Sequence, residues 1–402
     1  MIMAADSGRH GDMDNMTEKK VIISIAIIAV VVVVAAVFVL MNNGGGNEPE
    51  EEETITIVDM AGREVELTLP IERIVCGDAE AMTLIASVVG EDFVDMVVGY
   101  DSNFNTYYPD LKDMWASAGM DFSKMTEVGS FMQGTFNWET VASLDPDVVF
   151  IPMWCYTYGM ISTEDVEKMA KAGIPIVNLD LYMQKLDADV MQNNCDIIGT
   201  IFDNKTVSDK LSEFYAEQVE KVSSKLSQVP AEKYTFYYET LVYLESYNSG
   251  GTTDNTEFLN QKSATTYGTT ISAEAFASGN ISFVFLDAMR SYAECGANIG
   301  WGATVTQDDI DSIAASLSKR TGWNEAPAVK NNDVYIVDMM TIGSTFDCWF
   351  IYQYIAEKMF PEVYGDLGCL ESLEGYYEEF LPWIDFKGVW CFSLDGEIVA
   401  SD

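Results

Sequence analysis

Histidine is almost missing from this chain: among 402 residues there is one, His10. That excludes a bare zinc or manganese site built from imidazoles, and any serine or cysteine nucleophile that relies on a histidine base. Basic residues are scarce as well. Lys and Arg total 22 against 64 Asp and Glu, a net charge of -42, and a surface that negative repels nucleic acid and anionic lipid head groups. The arginines are Arg9, Arg63, Arg73, Arg290 and Arg320. Arg63 falls in a hairpin and Arg73 opens a strand, which leaves Arg290 as the arginine expected to face a ligand, so a strongly anionic ligand is disfavoured. The seven cysteines (Cys76, Cys155, Cys195, Cys295, Cys348, Cys369 and Cys391) form no Cys-x-x-Cys pair, and most read as small buried apolar residues. Catalytic signatures are incomplete. Ser316-Leu-Ser-Lys319 matches Ser-x-x-Lys without its companion motifs, and there is no Gly-x-Ser-x-Gly or Walker loop. Asp101-Ser-Asn-Phe-Asn105 begins like a calcium loop but lacks the glycine and closing glutamate.

What is present begins with an apolar run. Residues 21–41 carry no charge and would span about 31 Å as a helix, the thickness of a bilayer core. Lys19 and Lys20 precede it and an acidic, Gly-rich stretch comes after it, so everything beyond about residue 42 is expected outside the cell. The expected organisation is a cytoplasmic tail (1–20), a transmembrane anchor or signal sequence (21–41), an acidic tether (42–53), an N-terminal α/β lobe (54–182), connecting helices (183–229) and a C-terminal α/β lobe (230–402). This organisation implies a cell-surface, extracytoplasmic protein anchored by its N-terminal helix. The 48% apolar content is enough to fill both cores.

Two segments look like copies of one unit. Residues 139–150 (ETVASLDPDVVF) and 274–285 (EAFASGNISFVF) share Glu, Ala, Ser, Val and Phe at the same offsets. Each reads as a short helix, a turn signalled by Asp-Pro-Asp or Gly-Asn, and a buried strand. Strands and helices alternate on either side of each copy, the pattern of a mostly parallel sheet covered on both faces. The helical stretch 183–228 breaks near Gly199, and its second half, 205–228, is expected to run from one lobe to the other. The expected fold is therefore α/β, two Rossmann-like lobes joined by a single long helix and preceded by a transmembrane helix. A ligand would bind beyond the carboxyl ends of the strands.

The order of several motifs resembles the substrate-binding proteins of iron-siderophore and vitamin B12 ABC importers. These are Asp59-Met-Ala-Gly-Arg63, Glu72-Arg-Ile-Val75, Val97-Val-Gly-Tyr100, the stretch 137–149 around the first copy, and 326–337 (APAVKNNDVYIV). The resemblance implies no enzymatic activity. It implies a membrane permease with its cytoplasmic ATPase as partner, and a metal chelate as ligand: a ferric siderophore, a corrinoid or haem. It also implies that Glu139 and Glu274, the residues that open the two copies, dock into arginine pockets of the permease. Tyr108, Phe131, Met132 and Trp154 fall where the B12-binding member has cleft aromatics and a Trp-Gln-Gly motif, and Tyr238, Tyr247, Tyr267 and Arg290 are the candidates from the second lobe. No resident cofactor or metal is expected. The alternative is a surface-anchored enzyme or an adhesive protein with the same two-lobed fold.

Overall fold

The computed structural model describes residues 53–401 apart from 78, 182–185, 231–233, 241, 249–261, 264–269, 288–292 and 339–344. The apolar run 21–41 lies outside the described residues, among which no helix is long and apolar enough to cross a membrane. The folded part opens with the expected hairpin, β1 (Glu53–Val58) antiparallel to β2 (Glu64–Leu69). Its turn is a clasp. Asp59 accepts the backbone N–H groups of Ala61 and Arg63 at 3.0 Å and that of Asn178 at 3.1 Å, while the Arg63 guanidinium donates to Asp59, to the Asn178 side chain and to the Ile176 carbonyl. The Asp-x-x-Gly-Arg motif thus fastens the hairpin over β7 (Ile176–Leu179), the outer strand of the first sheet, and covers an edge that would otherwise offer free backbone groups.

That sheet runs β5-β4-β3-β6-β7, all parallel, with β3 (Ile74–Cys76), β4 (Val97–Tyr100), β5 (Thr126–Glu127) and β6 (Val148–Pro152). The second runs β10-β8-β12-β14-β15-β13. Its members are β8 (Thr235–Thr240), β10 (Lys262–Ser263), β12 (Phe283–Asp287), β13 (Gly300–Trp301), β14 (Val334–Val337) and β15 (Gly388–Ser393). β8, β10, β12 and β14 are parallel; β15, β13 and the added β16 (Ile398–Ser401) are antiparallel. A separate antiparallel pair joins β9 (Tyr247–Asn248) to β11 (Thr270–Ile271).

Because side chains alternate along a strand, each sheet has two apolar faces and needs cover on both. On the outer face of the first sheet, Val75, Val149, Ile151 and Ile176 pack with Val141 and Met169, which belong to α3 (Trp138–Ser143) and α5 (Thr163–Lys171). On the outer face of the second, Tyr237, Val284, Leu286, Val334 and Ile336 pack with Phe276 of α8 (Ala273–Ser278) and with Ile310, Ile313 and Leu317 of α9 (Gln307–Leu317). The inner faces share one core. Ile74, Cys76, Phe150 and Leu179 from the first sheet and Phe236, Tyr238, Phe285 and Val337 from the second join the same apolar cluster. So do residues of α1 (Glu80–Val89), α6 (Ala188–Ile201), α7 (Lys205–Ser223), α10 (Trp349–Met359) and α11 (Cys369–Phe380).

The stretch between the two sheets runs through α6 and α7, divided at Asp203, whose φ of 47° lies in the left-handed region, beside the break expected near Gly199. α7 stops at Ser223 and a short 3-10 turn, Leu226–Gln228, leads to the Pro230 break. β13, β15, β16 and α11 have no counterpart among the elements expected from the sequence.

Candidate functional site

The two copies adopt one geometry down to single hydrogen bonds. Glu139 and Glu274 each sit one residue inside the helix start, after caps supplied by Asn137 and Ser272. The Asn137 side chain accepts the N–H groups of Glu139 and Thr140, both at 3.0 Å, and Ser272 accepts that of Ala275 at 3.1 Å. Six residues on, Asp145 (φ 49°) and Asn280 (φ 53°) both turn the chain through the left-handed region. Eight residues on, the Asp147 N–H donates to the Arg73 carbonyl and the Ser282 N–H to the Thr235 carbonyl. Ten residues on, Val149 donates to Pro175 and Val284 to Asp333. Both glutamates are exposed, and both helices lie on the outer face of their sheet.

The carboxyl ends of the strands carry the other candidate feature, a run of acids. Asp101 follows β4, Glu127 ends β5, Asp180 follows β7, Glu239 lies one residue before the end of β8, Asp287 ends β12 and Asp338 follows β14. The lobes meet here. The Trp301 N–H donates to Asp110 of α2 (Pro109–Ser117) at 3.2 Å, and a Cβ on Gly300 would collide with Asp110 and touch Asp338. Glu239 takes a bidentate pair of bonds from Arg320, both 2.8 Å, in a setting where neither side chain is exposed. Arg320 also stacks 4.0 Å from the Tyr247 ring centroid and donates to the Ser246 carbonyl. Burial, with Asp187 nearby, raises the Asp180 carboxyl above its usual range. Arg63 and Arg73 are committed to the hairpin clasp and to the carbonyls of Leu144 and Asp145.

The predicted aromatic residues divide. Tyr108 caps α2 and is buried in the shared inner core, as is Tyr238, whose hydroxyl donates to Asp287 at 3.4 Å. Phe131 is buried, stacked on Phe136 with ring centroids 3.9 Å apart, and its neighbour Met132 is 50% exposed. Trp154, half-buried in α4 (Met153–Thr157), packs on the outer core of the first sheet. Tyr247 is a packing residue: it stacks on Phe276 at 4.2 Å, and its hydroxyl donates to the Thr321 carbonyl. Tyr267 and Arg290 lie outside the described residues. Beyond the predicted residues, Tyr158 and Met160, just after α4, stand 62% and 46% exposed near the end of β6. The acids at the strand ends are absent from the sequence-based candidates although the sequence carries a signal for them: an acid closes or follows the apolar runs of β4, β7, β12 and β14.

The family model of periplasmic binding proteins matches residues 74–340, more than half of the chain. The chain belongs to the periplasmic binding protein family. It is therefore an extracytoplasmic solute-binding component of an ABC importer and not an enzyme. Solved structures of this family share its fold. A TroA-like periplasmic binding protein, FepB from Veillonella parvula, has a TM-score of 0.74 and 24% identity over 84% of this chain and 99% of its own. The molybdate-binding protein MolA of Haemophilus influenzae has a TM-score of 0.56 and 16% identity over 82% and 98%. The siderophore-binding protein BauB, solved with acinetobactin and ferric iron, has a TM-score of 0.53 and 14% identity over 76% and 98%. No curated protein matches the chain.

Proposed function

We propose that this periplasmic binding protein captures a neutral or positively charged metal chelate, a ferric hydroxamate-like siderophore or a corrinoid, and hands it to its permease. The observation that carries the reading is the charge at the strand ends: Asp101, Glu127, Asp180, Asp287 and Asp338 stand there, while Arg320 is spent on Glu239 and Arg63 and Arg73 are tied into the fold. Carboxylates at the cleft repel haem propionates, a catecholate complex or molybdate, and tolerate a ligand whose outer charge is zero or positive. Exposed Met132, Tyr158 and Met160 supply apolar surface suited to a chelate with a greasy exterior. The test is titration of the full chain with ferrioxamine B, cyanocobalamin, haemin and molybdate, followed by tryptophan fluorescence. Saturable quenching by either of the first two supports the reading. Binding of haemin or molybdate alone sinks it.

The paired glutamates support a second element of the reading. Glu139 and Glu274 are equivalent in position, capping and exposure, one on each lobe, as a two-point contact with basic pockets of a permease requires. The uncharged run 21–41 and the acidic stretch after it fit a membrane anchor followed by a tether.

A further inference from the structure

The family match ends at residue 340, and the residues beyond it build a second connection between the lobes. α11, on the C-terminal side, reaches α1 of the N-terminal lobe, where the hydroxyls of Tyr376 and Ser87 lie 2.8 Å apart in a buried setting. Ser87 already donates to the Thr83 carbonyl, so the Tyr376 hydroxyl is the donor between lobes. Three residues past α11, Trp383 packs against Trp115 of α2 with ring centroids 5.9 Å apart. The third contact is the bond from Trp301 to Asp110, and Trp301 is backed by Trp390 and Tyr377 at 5.0 and 5.3 Å. Tyr377 in turn donates to the buried Asp347 at 2.9 Å, fixing α11 to the segment that precedes α10.

α11 also packs on the crossing helix α7: Phe214 lies 6.0 and 5.8 Å from Tyr376 and Phe380, and Lys221 donates to Ser372 at 2.6 Å. α7 makes a joint of its own: the Gln353 amide of α10 donates to the Gln218 carbonyl at 3.0 Å, and Tyr364 to the Val222 carbonyl at 3.1 Å. The contacts at Ser87, Trp115 and Asp110 reach the N-terminal lobe on elements other than α7, and so restrain a rotation that the crossing helix alone would leave free. We propose that residues 369–390 are a latch that fastens the N-terminal lobe to the C-terminal lobe alongside the α7 crossing. The lobes then part only when the Ser87, Trp115 and Asp110 contacts are lost together.

Hydrogen exchange of the full chain tests this, because an opening of the latch exposes α1 and α2 without unfolding the outer-face helices. Tyr376→Phe should speed exchange in α1 and α2 about fivefold, the loss of one buried hydrogen bond. Trp383→Ala should speed it more, on the order of tenfold or above, by opening a cavity at the joint. In both variants α5 and α9 should exchange at the wild-type rate. Ser87→Ala, made from the other side of the joint, keeps α11 intact and should reproduce the Tyr376→Phe pattern. Faster exchange confined to α11, no change in α1 and α2, or an equal rise in α5 and α9 would each overturn the proposal.

Discussion

In the N-terminal lobe the turn between α3 and β6 is braced by side chains; among the described residues, the equivalent turn between α8 and β12 is braced by backbone. Asp147 accepts the N–H groups of Glu72 and Arg73 at 2.7 and 2.8 Å, and the Arg73 guanidinium reaches back to the carbonyls of Asp145 and Leu144. The second copy relies on Ser282 to Thr235 and Ala328 to Ile281. The C-terminal lobe instead places its strongest polar brace beside the cleft end of β8, in the Arg320 and Glu239 pair. What the copies share is therefore backbone geometry, a left-handed residue and two strand contacts at fixed offsets. Side-chain bracing has been free to move to different places in each lobe.

The largest test of that difference is Arg320→Met. It strands a fully buried carboxylate at the end of β8, and breaking a buried pair from one side costs about 3–5 kcal/mol. Denaturant unfolding should show that loss, and Glu239→Leu added to it should restore most of the stability. If the single variant is as stable as wild type, the pair is not the brace of this lobe. Next in size is a pH effect. Burial pushes the Asp347 carboxyl up to about 6, against the hydrogen bonds from Thr345 and Tyr377 that favour its charged form. Its unfolded value is near 4, so the native state holds the extra proton between about pH 4 and 6. Stability from this group is then highest at the acid end and falls by roughly 2–3 kcal/mol as pH rises through that window. Burial likewise raises Asp180, Asp333 and Glu357, which act with the same sign. Midpoints of thermal unfolding between pH 4 and 7 should slope downward, and Asp347→Asn should flatten the slope.

Much of this fold is legible in the sequence because it is written in period. β3, β6, β7, β12 and β14 are short apolar runs closed by turn residues, and all fall where they are expected. The repeat is legible for the same reason, since a helix, a left-handed turn and a buried strand need particular residue types at particular offsets. The site is less so. Tyr247 and Tyr108 are aromatic residues near strand ends, and nothing in a local pattern separates an aromatic that faces a cleft from one that stacks on Phe276 or packs beside Phe104. The C-terminal latch is illegible for a different reason. Ser87 meets Tyr376 and Asp110 meets Trp301 across long stretches of chain, contacts that only the folded inner core brings together.

Smaller effects sharpen the comparison of the copies. Asp147→Ala removes the acceptor for two backbone N–H groups and should cost about 1–2 kcal/mol by denaturant unfolding, whereas Ser282→Ala, at the equivalent offset, should leave stability unchanged because that turn uses only backbone. Equal losses in the two variants would mean the second turn has a side-chain brace of its own. Glu139→Ala with Glu274→Ala comes last, since it should barely move the fold at all. Both carboxylates are exposed, and the helix caps belong to Asn137 and Ser272, so the unfolding midpoint should stay where it is. Solute affinity should stay too, because both helices lie on outer faces, apart from the inner core between the sheets. Uptake through the permease is the one property expected to disappear. A double variant that transports normally would reduce the matched glutamates to first-turn residues favoured by the helix dipole, and one that loses solute binding would move them into the cleft.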